Sequence, residues 1–444
     1  MSTNFLILGL GESGFACAKF LLNQSIPFIL ADTRVAPPYL ESIKQLDPSI
    51  KIYLSKLPDD ILHSIQKIII SPGMDLKHPW IEQFKLQSIP IISEIELFAS
   101  YATAPIIAIS GSNGKSTVTT LVGELAAAEG VKVAIGGNLA PPAIDLLTLN
   151  PDLYVLELSS FQLESTFHLK PLVATILNIS PDHMDRYGTL QEYIQAKMRI
   201  FKAAKHIVYN RDDSPLLQFM ELSNTPHISF GVGAPESNTT YGLRKEHGAL
   251  YLARGAELLL NVQELKLLGT HNYANCLAAL ALMEAAGFNF RSAANSLKSF
   301  VGLAHRCEWV RMHNQVLYVN DSKGTNVGAV IAALQGLSPV IPGKWILIAG
   351  GQSKNADFTD LIGPISQHCK AVILLGEDKQ QLHELLKTAS RCYVVDTLAE
   401  AVSLAAKQAK PGEGVLLSPA CASLDMYANY AHRGNVFKQL VQEL

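Results

Sequence analysis

The sequence has no CxxC pair: its six cysteines (Cys17, Cys276, Cys307, Cys369, Cys392 and Cys421) are scattered without metal-ligand spacing. They are expected to be reduced and mostly buried, which fits a cytosolic compartment. Charged residues are scarce at 17%, and they balance to a formal net charge of −3, so no whole-chain field gathers nucleic acid or anionic lipid. No basic stretch followed by an apolar segment and a small-residue cleavage site opens the chain, so export is not expected. The most apolar helical stretch, Cys276 to Met283, stops at Glu284, short of the roughly 20 apolar residues that cross a bilayer. Neither an internal repeat nor a low-complexity tract is present. Apolar residues are plentiful at 48%, enough for sizeable cores in a soluble globular chain. At roughly 100–200 residues per domain, 444 residues correspond to about two to four domains.

Short aliphatic runs alternate with amphipathic stretches: Phe5–Leu8, Lys67–Ile70, Ile106–Ile109, Leu153–Leu158, Val173–Asn178, Leu317–Asn320, Trp345–Ala349, Ala371–Leu375 and Val415–Leu417. Runs of this length between helical segments are the pattern of parallel strands buried on both faces, so an α/β fold is expected. Ligands of such sheets sit at the carboxyl ends of strands, which directs attention to the residues after each run. Breaks near Ile91–Glu94 and Val301–Glu308 divide the chain into three blocks. Between about Pro215 and Leu267 the segments become shorter and more polar, predicting a small antiparallel addition within the middle block.

The first motif is Gly9-Leu10-Gly11-Glu12-Ser13-Gly14, directly after the first predicted strand, with Asp32 about twenty residues on. Its glycines permit close approach of a pyrophosphate to a helix N-terminus, and its acid would bind a ribose. A dinucleotide, another diphosphate nucleotide and a tight turn with no ligand all satisfy this pattern. A stronger signal follows Ile106–Ile109: Ser110-Gly111-Ser112-Asn113-Gly114-Lys115-Ser116-Thr117, leading into a helical run to Gly130. Backbone N–H groups of such a loop surround phosphate oxygens, Lys115 pairs with the outer phosphates and the Ser116 hydroxyl meets Mg2+. Full P-loop spacing would put Gly at 109, where this chain has Ile, so the loop is a shorter G-x-x-G-K-S variant. Glu157 closes another strand-like run and supplies the carboxylate a metal–triphosphate site needs, since a buried strand-end Glu is costly unless paired or metal-bound. After the next strand comes Asn178-Ile-Ser-Pro-Asp182-His183-Met-Asp185-Arg186, then Thr189-Leu-Gln-Glu192, a capping-box start for a helix carrying Lys197. His183 sits where strand ends face ligands, although a loop histidine alone serves structure as readily as catalysis.

Together these segments resemble the Mur ligases, ATP-dependent amino-acid ligases of peptidoglycan precursor synthesis, over essentially the whole chain. The resemblance is carried by Gly111–Thr117, Glu157-Leu-Ser-Ser-Phe-Gln162, the Asn178–Arg186 segment, His271-Asn272-Tyr-Ala-Asn275, His305-Arg306 and Asn320-Asp321-Ser-Lys323-Gly-Thr325-Asn. Within the family, Gly9–Gly14, Ala349-Gly-Gly-Gln-Ser-Lys354-Asn-Ala-Asp-Phe358 and Leu417-Ser-Pro-Ala-Cys-Ala-Ser423-Leu424-Asp425 look like the branch that couples D-glutamate to UDP-N-acetylmuramoyl-L-alanine. The D-N-P-R motif of the diaminopimelate- or lysine-adding branch is absent.

The resemblance implies three domains: an N-terminal Rossmann-like domain for the UDP substrate (1–93), a central P-loop-type ATPase domain with a mostly parallel sheet (94–302), and a C-terminal Rossmann-like domain that brings the amino acid (303–444). Ser13, Asp32, Thr33, Arg34, Ser71 and Gly73 then match contacts to the UDP part, and no NAD chemistry is implied. Asn138, Ser159, Gln162 and His183 match the pyrophosphate and muramoyl-alanine side. ATP would be held by Gly111, Ser112, Asn113, Gly114, Lys115, Ser116 and Thr117, with Asn272, Asn275, His305, Arg306 and Asp321. Lys323, Thr325, Lys354, Ser423, Leu424 and Tyr430 match the region of the nascent phosphate and D-glutamate; Tyr430 stands where Phe is common and Gly324 where Ala is common.

Two Mg2+ sites are implied, one on Ser116 and Glu157, the other on His183 and a carbamylated Lys197. An ammonium would repel the metal, whereas CO2 turns a neutral amine into an anionic oxygen ligand, and burial favours the neutral amine. The implied reaction transfers the ATP γ-phosphoryl group to the alanyl carboxylate, and the D-glutamate amine then displaces phosphate, with Lys115, His183, Lys197 and Lys323 as catalytic residues. A cytoplasmic monomer is expected, serving cell-wall biogenesis, cell shape and the division cycle, with no nucleic-acid partner and no membrane insertion. Because ATP and D-glutamate residues fall in different domains, closure of the third domain about Val301 is expected. Two rivals come from other classes: an NAD-dependent dehydrogenase, which leaves the second phosphate loop unexplained, and a non-catalytic nucleotide-sugar sensor, against which Lys115, Glu157 and Lys197 speak. A sister ligase is told apart by which amino acid releases phosphate.

Overall fold

The computed structural model describes residues 5–444 except 59, 60, 62, 63, 185, 222, 268, 354 and 355. Lys354, expected in the amino-acid pocket, therefore lies outside the described residues. Three sheets follow one another along the chain. The first holds β1 (Phe5–Leu8), β2 (Phe28–Asp32), β3 (Ile52–Leu54), β4 (Lys67–Ile70) and β5 (Ile91–Ser93) in the order β3-β2-β1-β4-β5, all parallel. The order reverses at β1, so the carboxyl ends of β1 and β4 open a crevice there.

The second sheet holds β6 (Ile106–Ser110), β7 (Val133–Gly137), β8 (Leu153–Glu157), β9 (Val173–Ile176), β10 (His206–Asn210), β11 (His227–Phe230), β12 (Thr240–Glu246), β13 (Ala249–Arg254) and β14 (Glu257–Asn261). Its order is β14-β13-β12-β11-β10-β9-β6-β8-β7. Pairing is parallel from β7 through β12, and only β12-β13-β14 form an antiparallel meander. The antiparallel addition thus begins at Thr240 rather than near Pro215. The polar stretch before it holds a helix, Ser214–Glu221, the parallel strand β11 and the crossover loop from β11 to β12. Arg211 holds that loop by donating to the Gly233 and Tyr241 carbonyls at 2.7 and 2.5 Å, and Asp212 accepts the Val232 N–H at 2.6 Å.

The third sheet holds β15 (Glu308–His313), β16 (Val316–Asn320), β17 (Trp345–Gly350), β18 (Cys369–Leu375), β19 (Arg391–Val394) and β20 (Gly414–Leu417), in the order β15-β16-β20-β17-β18-β19. It is parallel apart from the edge strand β15.

Central strands such as β6, β8 and β17 are buried at every residue, which is why they read as unbroken apolar runs. The Cys276–Met283 run lies in the helix Thr270–Ala285 and is buried on all sides, so it carries no polar stripe. All six cysteines are free, and all but Cys392 are buried. Among the described residues no helix is long and apolar enough to cross a membrane.

Candidate active site

Gly9 leaves β1 with φ +95°, and a Cβ there would lie 2.7 Å from the Ser71 Cβ. A Cβ on Gly14 would meet the Gly9 carbonyl oxygen at 2.0 Å, so this strand-to-helix turn requires glycine at both positions. Over it lies a cavity of about 450 Å³ whose walls include Ser13, Asp32, Thr33, Arg34, Ser71 and Gly73. The structure thus brings together the whole set matched to the UDP part.

Asp32, at the end of β2, is 1% exposed. Its Oδ2 accepts the Leu10 N–H at 2.7 Å and Arg34 Nη2 at 2.8 Å, and its Oδ1 accepts the Arg34 N–H at 2.8 Å and Nε at 2.9 Å. Burial pushes the carboxyl pKa up, but the Arg34 fork and the two N–H bonds outweigh it and hold the group below the usual carboxylate range. Both oxygens are engaged within the chain, so the carboxylate fastens the glycine turn to β2 and fixes Arg34 at the cavity.

The second site begins where β6 ends. The chain turns through Gly111 (φ +149°) and Gly114 (φ +81°) into the helix Lys115–Ala128, whose first N–H groups are available to an anion. The loop is anchored on the segment after β9: Ser112 Oγ donates to the Ser180 carbonyl and the Asn113 N–H to Asn178 Oδ1, each at 2.9 Å. The Lys115 ammonium donates to the Gly111 and Ser112 carbonyls at 2.7 and 2.9 Å. Burial lowers its pKa; Glu157 and Asp182 oppose that, and Arg306 adds to it.

Glu157 ends β8 at 2% exposure. Asn138 Nδ2 donates to its Oε1 at 2.6 Å, while Oε2 is buried with no hydrogen-bond partner among the described residues. Ser159 and Gln162 form a reciprocal capping box on the helix Ser160–Glu164. The helix Leu190–Met198 starts on Thr189, whose Oγ1 accepts the Glu192 N–H at 3.2 Å; Glu192 takes the Gly188 N–H instead of closing the box.

Lys197 on that helix is 1% exposed. Its Nζ lies 2.9 Å from the Gly111 carbonyl oxygen, 3.4 Å from Ser110 Oγ and 4.6 Å from the Tyr193 ring centroid. Burial first, then the neighbouring Lys115 charge, push its pKa well down against Asp182 and Glu157. His183 sits at φ +57° with Nε2 3.7 Å from Asp182 Oδ2 and its ring 4.7 Å from that of Phe161. The unpartnered, buried Glu157 Oε2 is the kind of oxygen donor a divalent cation takes. Among the described residues no three His, Cys, Asp or Glu side chains form a metal cluster, so phosphate oxygens would complete the shell.

A cavity of about 550 Å³ opens between this loop and the strand ends of the third sheet, with Asn113, Gly114, Thr117, Asn272, Asn275, Arg306, Asp321 and Lys323 in its walls. Arg306 Nη2 donates to Ser116 Oγ at 2.6 Å, tying the third unit to the loop. Asp321 accepts Ser418 Oγ at 2.7 Å and the Cys307 N–H at 3.2 Å, yet burial still raises its carboxyl to about 6. His305 is not in the wall; its Nδ1 lies 2.9 Å from Asn320 Nδ2 and its ring 6.1 Å from that of Tyr430. The Lys323 ammonium lies 3.8 Å from the Tyr430 ring centroid, and Thr325 donates its N–H to the Lys323 carbonyl at 2.8 Å. Ser423 is buried and Leu424 is 66% exposed.

Sequence reasoning passed over several residues in or beside this wall. Asn326 caps the helix Val327–Leu337, exchanges amide bonds with Asn113 at 3.3 and 3.4 Å, and donates to Asp182 Oδ2 at 3.1 Å; an Asn just before an apolar helical run was its signal. Leu177 and Phe230 form apolar wall, and nothing in their spacing marks them. His271 is half-buried with its Nδ1 enclosed, and desolvation pushes its pKa down to about 4. A Cβ on Gly336 would come within 2.2 Å of its Nδ1, so the third unit seats against it only through a glycine.

The pattern of the Mur ligase MurD-like N-terminal domain matches residues 3–93, that of the Mur ligase middle domain residues 109–283, and that of the Mur ligase glutamate ligase domain residues 305–421. The chain is 49% identical over 440 residues to the UDP-N-acetylmuramoylalanine–D-glutamate ligase of Pseudomonas syringae pv. syringae, covering 98% of this chain and 97% of that one. It is 44% identical over 443 residues to the protein of the same name in Legionella pneumophila, covering 99% of each. In structure it is similar to a pseudomurein peptide ligase type C from Methanothermus fervidus and to the UDP-N-acetylmuramate-alanine ligase of Thermotoga maritima. Each gives a TM-score of 0.62 over 99% of both chains, at 16% and 18% identity, which shows the fold.

Proposed function

The chain belongs to the Mur ligase family, and from that premise we propose that it joins D-glutamate to UDP-N-acetylmuramoyl-L-alanine while ATP becomes ADP and phosphate. This is a carbon–nitrogen ligation of peptidoglycan precursor synthesis and cell-wall biogenesis. The observation that carries the reading is near-full-length identity of 49% to a ligase of that name, supported by two cavities walled by phosphate-type glycine loops.

The mechanism follows from the electrophile. The alanyl carboxylate repels an amine and offers only oxide as leaving group. An oxygen of that carboxylate attacks the γ-phosphorus of ATP, ADP departs, and the resulting acyl phosphate has inorganic phosphate as its leaving group. The amine of D-glutamate, as free base, then attacks the acyl carbon, the tetrahedral oxyanion collapses, phosphate leaves, and the amine proton passes to solvent. Lys115, the N–H groups at the helix start and Arg306 neutralise the phosphoryl charge. Lys323 is assigned to the departing phosphate, and Lys323, Thr325, Ser423, Leu424 and Tyr430 to the two glutamate carboxylates. Ser116 and Glu157 would hold one Mg2+ and His183 with a carbamate on Lys197 a second, supplying charge neutralisation on the phosphates when bound.

The division of labour assigns the UDP part to 1–93, ATP to 94–302 and the amino acid to 303–444, with the third unit closing about Val301. A monomer suffices, because one chain supplies every candidate residue. We assign the reaction to the cytoplasm, where free thiols stay reduced, and extend its role to cell shape and the division cycle. The test is phosphate release by purified protein with Mg-ATP and UDP-N-acetylmuramoyl-L-alanine, comparing D-glutamate, L-glutamate, L-alanine and no amino acid. Release that depends on D-glutamate alone is expected; release with another amino acid instead would make the chain a sister ligase.

A further inference from the structure

Arg186 has no part in the phosphate chemistry, yet its guanidinium joins two units of the chain. Its side chain is 14% exposed; Nη1 donates to the Pro72 carbonyl at 3.0 Å and Nη2 to Glu164 Oε2 at 2.6 Å. Its guanidinium carbon lies 4.2 Å from the centroid of the Phe161 ring, which also packs 4.7 Å from the ring of His183. Pro72 belongs to the turn after β4 that walls the first cavity, whereas Phe161 and Glu164 lie on the helix that Ser159 and Gln162 start.

Other ties between these units sit beside the linker and between helices away from it, where Lys19 Nζ lies 3.0 Å from Asp145 Oδ1. The Ser93 N–H donates to the Ser165 carbonyl at 2.8 Å, and the Ser93 and Thr166 hydroxyls lie 2.7 Å apart. Ser93 ends β5 and pairs in register with Ile70, the last residue of β4. The carboxyl edge of the first sheet is thus held at two neighbouring strands, by the linker at β5 and by Arg186 beyond β4. Arg186 is the tie that reaches the turn walling the first cavity itself.

We propose that Arg186 is a positioning residue that fixes the span between the nucleotide-sugar cavity of the first unit and the carboxylate-activating centre of the second. The inference rests on the ligase reading, because only a substrate that reaches from one site to the other needs that span held. A planar guanidinium serves a carbonyl and a carboxylate at once through separate nitrogens, while a lysine ammonium is a single point charge.

The test uses the full chain and the variants Arg186→Met, Arg186→Lys and Glu164→Gln, with steady-state kinetics and calorimetric binding of UDP and of UDP-N-acetylmuramoyl-L-alanine. Arg186→Met is expected to raise KM for the UDP substrate about tenfold or more, the loss of one charge-assisted bond, with KM for ATP changed less than about twofold. Affinity for UDP alone, which the first unit holds by itself, should stay within about twofold of wild type. Arg186→Lys should recover only part of the loss, and Glu164→Gln should fall between, giving a readout even if Arg186→Met does not fold. Unchanged KM for the UDP substrate in all three variants overturns the proposal, as does an equal loss for UDP alone, which would make Arg186 a direct nucleotide contact. A wild-type protein with no D-glutamate-dependent phosphate release overturns the ligase reading and this inference with it, whereas an active wild type with unaffected variants overturns the inference only.

Discussion

Asp32 was matched to a substrate contact, but in the structure both of its oxygens serve the chain, and the two roles predict different outcomes for Asp32→Asn and Asp32→Ala. Alanine removes the acceptor of the Leu10 N–H, a buried bond of 2.7 Å, and an unsatisfied buried N–H costs about 1–3 kcal/mol. The Arg34 side chain is 53% exposed, so loss of that ion pair adds no more than about 1 kcal/mol. Asp32→Ala should therefore cost the first unit about 1–4 kcal/mol. Asparagine keeps one oxygen for the Leu10 N–H and should cost about 1 kcal/mol. Because a chain of three units need not unfold in one step, hydrogen exchange over residues 5–32 is the appropriate assay, beside KM for the UDP substrate. Asp32→Ala should speed exchange there and raise KM, and Asp32→Asn should change KM less than about threefold.

The pH dependence has a definite sign. The folded pKa lies below the usual aspartate value of 3.8, so the stabilisation is complete above that value and is lost as pH falls through the lower folded one. Asp32→Asn should lack this acid limb. A loss of UDP-substrate binding of about a hundredfold in Asp32→Asn with exchange unchanged would refute the reasoning, since the carboxylate would then be reading the substrate.

Arg306→Ala removes the 2.6 Å bond to Ser116 Oγ; at about 1.5–3 kcal/mol for such a bond, kcat/KM for ATP should fall about 10- to 150-fold in a phosphate-release assay, and an unchanged value would separate the third unit from the phosphate loop. Glu94 is buried, accepts the Ile144 N–H at 2.6 Å, and is raised by burial from 4.5 to about 7. A raised carboxyl destabilises the fold as pH climbs from the unfolded value through the folded one. Glu94→Gln should therefore be more stable than wild type at pH 8 by up to about 3 kcal/mol, a gain that vanishes near pH 4; a thermal shift equal at both pH values would contradict this. Lys197, held toward its neutral form, should take up 13C-labelled bicarbonate as a carbamate visible by 13C NMR, and a signal that persists in Lys197→Gln would place the modification elsewhere.

The strands β6, β8 and β17 were legible because burial on both faces leaves no polar residue to interrupt them. The phosphate loop was legible because Gly111 and Gly114 adopt backbone angles that other residues resist. The extent of the antiparallel meander was not, since Arg211 and Asp212 bind carbonyls and N–H groups about twenty or more residues away, a relation without periodicity. Asp32 illustrates a different limit: its spacing pointed correctly to the cavity, while the direction of its oxygens depends on how the turn closes. Leu177 and Phe230 owe their places to packing within the second unit and Arg186 to a contact between units, and no local pattern encodes either.

The most direct test of the central claim is to follow oxygen. With 18O in the alanyl carboxylate of UDP-N-acetylmuramoyl-L-alanine, the acyl-phosphate route predicts one 18O atom in each phosphate released in the presence of D-glutamate, read by mass spectrometry or 31P NMR. Phosphate released without 18O would contradict phosphoryl transfer to the carboxylate, and with it this account of how the chain forms its amide bond.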